Sequence, residues 1–461
     1  MDCEPFTLSI DDADSPSGGC TTHLAFLLLT EYTGKIMLLD YPLLIRLAPG
    51  IPWKTRGNGA VVIRGCALTA TPSDIFEEAY RLSTEYSEGR MGEAGKSPGV
   101  ALFHGYDAYR RSRLRRLYLA ASGSLVDPGV VYGIARREGV EVKGGRGIVG
   151  AVSSLAGLAP WEPYTFELIA YRHPDRWGSK RQVINDPMFE SRLPTCVYNN
   201  FDLSSGMLVA APRGPDPVLA GFRGSCPGWL GCYRMVLAEE PAGWVLYRTN
   251  QHCDACYRAY PVLTGGLTPY SSTTIKATIH SNPVVLPKKH TITTLKRPGG
   301  PELEAAFYRE TGSLQYAARE LRRGDTVKIH ATVRPYGLKT DITLAVEKME
   351  ILTVNQHYKH VNPRCPVCGA RMDSLGRGKG YRCSRCGYTD PHTGKIKVWL
   401  PRRLMPGSYS PPPGSVRHAV HPSWAPEPVG GLDLPLWIRP GETVSPSPSP
   451  PSMACTSCWE C

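Results

Sequence analysis

The sequence predicts a multidomain α+β protein, and three observations carry that expectation. The chain has 461 residues, too many for one ordinary core. Near its start, Leu8-Ser-Ile-Asp11-Asp12-Ala-Asp14 leads through Gly18-Gly19-Cys20 into Thr21-Thr22: a strand, an acidic tip, a glycine turn and a helix opening. Near its end, Cys365-Pro-Val-Cys368 and Cys383-Ser-Arg-Cys386 are paired two-residue knuckles. The predicted order is an α/β domain at 1–160, a ferredoxin-like domain at 161–270 and an OB-fold β-barrel at 271–354. A zinc ribbon at 360–392 and a disordered Pro/Ser-rich tail at 393–461 follow.

Each element has a physical warrant. Asp11, Asp12 and Asp14 repel one another unless a cation or hydrogen-bond donors accept them, and hard carboxylate oxygens suit Mg²⁺. Thr21 or Thr22 is expected to cap the next helix, whose free N–H groups favour an anion. Together these make a place for a magnesium-bound phosphate, although an acidic loop before an ordinary cap fits the spacing equally well. In Pro52-Trp53-Lys54-Thr55-Arg56-Gly57-Asn58-Gly59, Lys54 and Arg56 suit phosphates, Asn58 can hydrogen-bond, and the glycines permit close backbone approach. A plain hairpin turn explains Gly57-Asn58-Gly59 as well. The turn Gly144-Gly145-Arg146-Gly147 can cradle phosphate beneath Arg146, but it lacks the Gly-Lys-Ser/Thr ending of a Walker A loop.

Further along, residues 71–88 read as a capped amphipathic helix and 100–103 as a buried strand. Residues 109–118 carry Arg110, Arg111, Arg113, Arg115 and Arg116, either an RNA-facing helix or a solvated face. Strands are expected at 166–172, 195–202, 208–212 and 244–249, with a turn and short helix at 214–224. In the barrel segment, strands at 273–280, 291–295, 326–333 and 342–354 flank an amphipathic helix from Leu303 to Leu321. Cys365, Cys368, Cys383 and Cys386 make a closed thiolate site for structural Zn²⁺, ringed by arginines.

Lys plus Arg number 53 against 41 Asp plus Glu, a net charge of +12 that favours a polyanionic partner. The apolar run Leu24–Leu29 is too short to span a bilayer, so no membrane role is expected and a cytoplasmic location is. There, the 15 cysteines are expected as thiols or metal ligands rather than disulfides. Cys253, Cys256 and the tail cysteines Cys455, Cys458 and Cys461 read as unliganded thiols.

The acidic tip, Pro-Trp-Lys-Thr-Arg-Gly-Asn-Gly-Ala, the glycine-arginine turn, Gly-Pro-Asp-Pro-Val-Leu, Tyr-Arg-Thr-Asn-Gln and the four-cysteine ribbon occur in one order. Over residues 5–400 this resembles the archaeal isoleucine-tRNA agmatinylcytidine synthetases. The resemblance implies a C–N-bond-forming ligase that attaches agmatine to C2 of the wobble cytidine in an isoleucine tRNA with a CAU anticodon. The product reads AUA. It also implies a kinase-like N-terminal domain that uses ATP, releases AMP and phosphate, and phosphorylates the cytosine 2-carbonyl oxygen before the agmatine amine displaces it. Asp11, Asp12 and Asp14 would then hold Mg²⁺, and Thr21 matches the family's reactive threonine. Lys54, Arg56, Asn58, Gly59, Gly145, Arg146 and Gly147 would face ATP. The chain departs from the family pattern at Ala13, where threonine is usual, and at His252-Cys253-Asp254. Asp202, Asp216 and Asp254 are unranked candidates for the agmatine guanidinium. A non-catalytic RNA- or DNA-binding protein is the rival reading, and a metal-dependent phosphotransferase or nuclease is a third. The binding-protein reading explains the charge and residues 271–390 but leaves the acidic tip and both glycine loops without a role.

Overall fold

The computed structural model describes residues 3–14, 18–54, 57–88, 97–257, 267–338, 340–430, 443–447 and 449–451. Its larger body is built on a ten-stranded sheet. In chain order the first seven strands are β1 (Glu4–Asp11), β2 (Ile36–Leu38), β3 (Leu43–Arg46), β4 (Gly59–Ala67), β5 (Gly99–His104), β6 (Glu141–Gly144) and β7 (Thr165–Tyr171). Strand β1 pairs antiparallel with β4 and β5, so Leu8 stands opposite both Ile63 and Leu102. Across the sheet the order is Val218–Gly224, β7, Gly243–Thr249, β3, β4, β1, β5, β6. The strands after residue 164 therefore extend the N-terminal sheet rather than forming a separate one, through parallel pairing of Gly243–Thr249 with β3.

Successive residues along β4 and β5 serve opposite faces, as period-two side chains must. Val61, Ile63, Val100 and Leu102 pack under α1 (Thr21–Glu31) and α2 (Pro72–Glu88). Val62, Ala101 and Phe103 pack under α3 (Ser112–Gly123), α4 (Pro128–Glu138) and α5 (Ile148–Ser154). The sheet is thus the middle of three layers, which explains why Phe6–Ile10 of β1 are all buried.

A buried charge cluster ties β4 to Gly243–Thr249 across the middle of this sheet. Asp40 accepts from Arg64 at 3.1 Å and from Arg248 Nε at 3.1 Å, with a second, short contact to Arg248 Nη2. All three side chains are fully buried.

Ser272–Ile279, Thr291–Lys296, Glu302–Phe307, Thr326–Pro335 and Ile342–Thr353 close a second sheet into a five-stranded barrel. The first strand pairs with both the second and the fourth, and the third runs parallel to the fifth. The helix expected over Leu303–Leu321 is corrected here. Glu302–Phe307 is a strand, and only Ser313–Arg319 is α-helical. Leu303, Ala305 and Phe307 satisfy period two as readily as they begin a helical stripe, and Gly312 at φ 48° ends any continuation. Likewise Val218–Gly224, expected as a turn with a short helix, is a strand against β7 with nearly every residue buried. A short apolar run has no period to tell strand from helix.

Two other expectations fail. The chain after Trp399 is not free of structure in its described parts. Gly407–Tyr409 pairs with the last barrel strand, Leu404 enters the barrel core, and Val444–Ser445 adds a strand beside Gly243–Thr249. Prolines lack only the N–H donor, so a proline-rich segment can still dock at sheet edges and bury its apolar residues. Cys455, Cys458 and Cys461 lie outside the described residues. Disulfides also occur, Cys3–Cys66 beside the β1–β4 ladder and Cys196–Cys226. Composition does not reveal that each pair lies with Cα atoms 5.5 and 5.7 Å apart, within bridging distance. Cys256 is a free thiol, and both it and Cys253, whose sulfur donates to the Gln251 carbonyl at 3.3 Å, are buried as such residues usually are. No described helix is long and apolar enough to cross a membrane.

Candidate active site

The end of β1 opens into a cavity of about 610 Å³, within the range of small-molecule pockets. Asp11, Asp12, Asp14, Thr21, Lys54, Asn58, Gly59, Arg146 and Gly147 all line it. Three stretches far apart in sequence thus converge as expected. Gly145 is not on the wall, and Arg56 lies outside the described residues.

The three carboxylates have different surroundings. Burial, reinforced by the charge of Asp12, pushes the Asp11 carboxyl up to about 8, while the Asp12 N–H donates to its Oδ1 at 2.7 Å. Asp12 has a φ of 62°, a left-handed conformation that Asp and Asn tolerate better than most residues. Its Oδ2 accepts from Arg146 Nε and Nη2 at 3.1 and 3.0 Å. Asp14 accepts at Oδ1 from the Thr21 N–H at 2.6 Å and from Thr21 Oγ1 at 3.0 Å. The capping expectation is corrected accordingly. Thr21 and Thr22 lie inside α1, Cys20 holds the cap position but its sulfur meets the Thr22 hydroxyl at 3.0 Å instead of capping a backbone N–H, and Asp14 reaches back to satisfy the first turn. Thr21 Oγ1 also accepts the N–H of buried Ala13 at 3.2 Å, which fixes the hydroxyl on the cavity wall.

The glycine turn before α5 is shaped for close approach to β1. A Cβ on Gly147 would stand 2.6 Å from the Asp11 carbonyl oxygen, and one on Gly150 would stand 1.7 Å from Asp11 Oδ2. Only glycine lets α5 press this near to the acidic tip. Asn58 Nδ2 donates to the Ala48 carbonyl at 3.0 Å, and the Asn58 carbonyl accepts from Leu47, so this residue shapes its loop. Lys54 Nζ donates to the Pro49 carbonyl at 2.6 Å.

Burial, aided by the positive charge of Arg417, pushes the Lys54 ammonium down to about 8. Affinity for a triphosphate should therefore fall as pH rises through about 8, with Lys54→Met binding more weakly and without that pH dependence. Stability should move oppositely. Between about 8 and 10.5 the unfolded lysine keeps a proton that the folded one has lost, so stability rises with pH there. Nucleotide titrations and denaturant melts across this range check both signs.

The opposite wall was not foreseen. Ser124, Leu125, Val126, Asp127 and Pro128 connect α3 to α4, and Asp127 caps α4 by accepting from Gly129 N–H at 2.8 Å. An Asp-Pro helix start is legible in sequence, but its position across from the acidic tip depends on the sheet order. The agmatine candidates are elsewhere. Asp202 closes a turn with Ser204 and Ser205, Asp216 is buried 3.3 Å from Arg181, and Asp254 pairs with Lys348 at 3.0 Å.

In the ribbon, Cys365, Cys368, Cys383 and Cys386 place their sulfurs within 4.8 Å of one another, a fit to tetrahedral Zn²⁺. Each knuckle turns on a left-handed glycine, Gly369 at 70° and Gly387 at 78°. The surrounding core holds little beyond Met372 and Tyr381, too small to persist without the metal. Chelation, or Cys383→Ser, should lower bound zinc from about one per chain to none and open the ribbon around Cys365–Cys386 to protease. Metal analysis with limited proteolysis checks this; a ribbon that stays protected without zinc contradicts it.

An acidic, phosphate-suited cavity on a layered α/β body, joined to a closed barrel and a four-cysteine ribbon, defines a multidomain nucleotide-type enzyme. Three family models match the chain: the TiaS TCKD domain at residues 7–77, the TiaS FLD domain at 145–256 and the TiaS C-terminal zinc ribbon domain at 362–404. The isoleucine-2 tRNA 2-agmatinylcytidine synthetase TiaS of Acidilobus saccharovorans is 44% identical, covering 91% of this chain and 94% of that protein. The Staphylothermus marinus protein of the same name is 35% identical over 90% of this chain and 92% of its own length. The crystal structure of TiaS in complex with isoleucine-2 tRNA and ATP is similar with a TM-score of 0.78 and 28% identity, covering 91% of this chain and 97% of that one. The complex of TiaS with the same tRNA, AMPCPP and agmatine has a TM-score of 0.75 and 25% identity, covering 90% and 96%. The chain belongs to the TiaS family of isoleucine-2 tRNA 2-agmatinylcytidine synthetases.

Proposed function

We propose that this protein uses ATP to ligate agmatine to C2 of the wobble cytidine of isoleucine tRNA, forming 2-agmatinylcytidine. The observation that carries the reading is the meeting of Asp11, Asp12, Asp14, Thr21 and Arg146 on one cavity. At rest, Arg146 neutralises Asp12. Asp12 would help to hold a cation and Arg146 would hold a phosphate, so a magnesium nucleotide would replace the pairing each makes at rest. Asp11, Asp12 and Asp14 bring hard carboxylate oxygens to this one cavity and would hold Mg²⁺, which would supply neutralisation of charge on the phosphate oxygens.

The cytosine 2-carbonyl oxygen is a poor leaving group, and phosphorylation converts it into a good one: the oxygen bonds to the γ-phosphorus of ATP, the β–γ bridge breaks and ADP departs. Transfer of the ADP β-phosphoryl group to the Thr21 hydroxyl, whose proton goes to solvent, breaks the α–β bridge and releases AMP, and water then frees Thr21 and phosphate. The agmatine amine then attacks C2; the C2–N bond forms, the C2–O bond breaks, phosphate departs and the amine's surplus proton goes to solvent. Asp14 holds the Thr21 hydroxyl in a hydrogen bond that orients it for phosphoryl transfer, and Lys54 and Arg146 neutralise transferred charge. The strand-tip-helix around Asp11–Thr21 supports a kinase-like reading of the first domain. The barrel's strand order, with its parallel third and fifth strands, supports an OB fold that, with the ribbon, grips the RNA. The antiparallel set Val218–Gly224, β7 and Gly243–Thr249 supports the ferredoxin-like reading of 161–270.

Measuring AMP release tests the reaction. It should require tRNA and agmatine together; release with RNA alone at the same rate points instead to a phosphotransferase or nuclease.

A further inference from the structure

We propose that the groove between α3 and α4 is a track for the phosphodiester backbone of the tRNA; the inference rests on the function proposed above. The groove has a volume of about 590 Å³ and is lined by Arg113, Arg116 and Arg137, with Gly129, Gly133 and Asp127. Arg110, Arg111 and Arg136 are exposed nearby. Some of this charge is already matched: Arg115 pairs with Glu162 at 2.7 Å and Arg113 with Glu138 at 3.0 Å. Among the described residues, no carboxylate forms an ion pair with Arg116, Arg136 or Arg137. Unmatched guanidinium groups on rigid helices suit phosphates held at fixed spacing.

The glycines supply a second, independent observation. Gly129 and Gly133 lie one turn apart on α4, where glycine disfavours helix by about 1 kcal/mol relative to alanine. Packing does not demand glycine at 133, since a Cβ there would meet nothing within 4 Å. A ligand backbone resting on the helix surface does demand it. The groove also adjoins the catalytic cavity, because Asp127 lies on the wall of both. An RNA strand whose target base enters the cavity passes its neighbouring phosphates over the groove. The Asp127 carboxylate does not oppose this strongly, as it is engaged by the Gly129 and Val130 N–H groups.

The test compares the full-length wild type with Arg116→Glu/Arg137→Glu and with Gly133→Leu, which fills the groove without changing charge and favours helix. Binding of an isoleucine tRNA transcript is measured over a series of salt concentrations, with ATP-analogue affinity and thermal melting on the same preparations. The double variant should bind tRNA at least tenfold more weakly, with a salt slope reduced by about two. Gly133→Leu should also weaken tRNA binding by several fold while leaving the salt slope nearly intact. ATP-analogue affinity and melting should match wild type in both. Wild-type tRNA affinity and slope in both variants would overturn the proposal. Because the readout is RNA binding, a wild type that makes no agmatine product would sink the proposed reaction without deciding the groove.

Discussion

Asp12→Asn is expected to lower agmatine incorporation by about a hundredfold to a thousandfold, on the order of 3–4 kcal/mol of lost transition-state stabilisation. Asparagine is the informative replacement because it keeps the shape of the side chain and tolerates the φ of 62° that alanine would strain. The variant removes one negative charge from the acidic tip and releases Arg146 from its resting partner. Both effects act on the same phosphate. Folding should be nearly unaffected, since the Asp12–Arg146 pair is partly exposed and such pairs contribute at most about 1 kcal/mol. Single-turnover assays with saturating tRNA check the rate, and melting checks the fold. A loss of less than about tenfold would remove Asp12 from the machinery.

Asp40→Ala should produce the largest loss of stability, about 3–5 kcal/mol, without touching the cavity. Asp40 is the counter-charge for both Arg64 and Arg248, and removing it leaves two guanidinium groups buried with carbonyl oxygens and the ring faces of Tyr109 and Tyr164 but no counter-charge. One nitrogen of each, Arg64 Nε and Arg248 Nη1, already has no hydrogen-bond acceptor among the described residues. The pair also joins β4 to Gly243–Thr249, so the loss should loosen the seam where later strands extend the first sheet. Denaturant unfolding reads the difference; a change under about 1 kcal/mol would mean that the arginines find other partners or water.

The acidic tip, the glycine-arginine turn and the cysteine knuckles were legible because their chemistry is set by residues a few positions apart. The same holds for β1, whose apolar run and abrupt acidic end are local facts. What stayed hidden depends on residues distant in sequence. Asp127 and its neighbours became a cavity wall only because α3 and α4 cover the face of the sheet on which α5 approaches β1. Val218–Gly224 became a strand because β7 offered an edge, not because its own period required it. Leu303–Phe307 misled because alternation and a helical stripe share their first positions. The Cys3–Cys66 bridge joins residues 63 apart, brought together by the register of β1 against β4. The tail's composition pointed to disorder and was silent about the barrel and sheet edges that receive Gly407–Tyr409 and Val444–Ser445.

The most direct measurement is nucleoside mass spectrometry after incubation of the protein with ATP, Mg²⁺, agmatine and isoleucine tRNA transcripts carrying C or U at the wobble position. A mass gain matching agmatine on the C-bearing transcript alone, lost in Asp12→Asn, is the predicted result. No gain from zinc-loaded, folded protein that still binds the tRNA would contradict the account and leave the barrel and ribbon as an RNA-binding module.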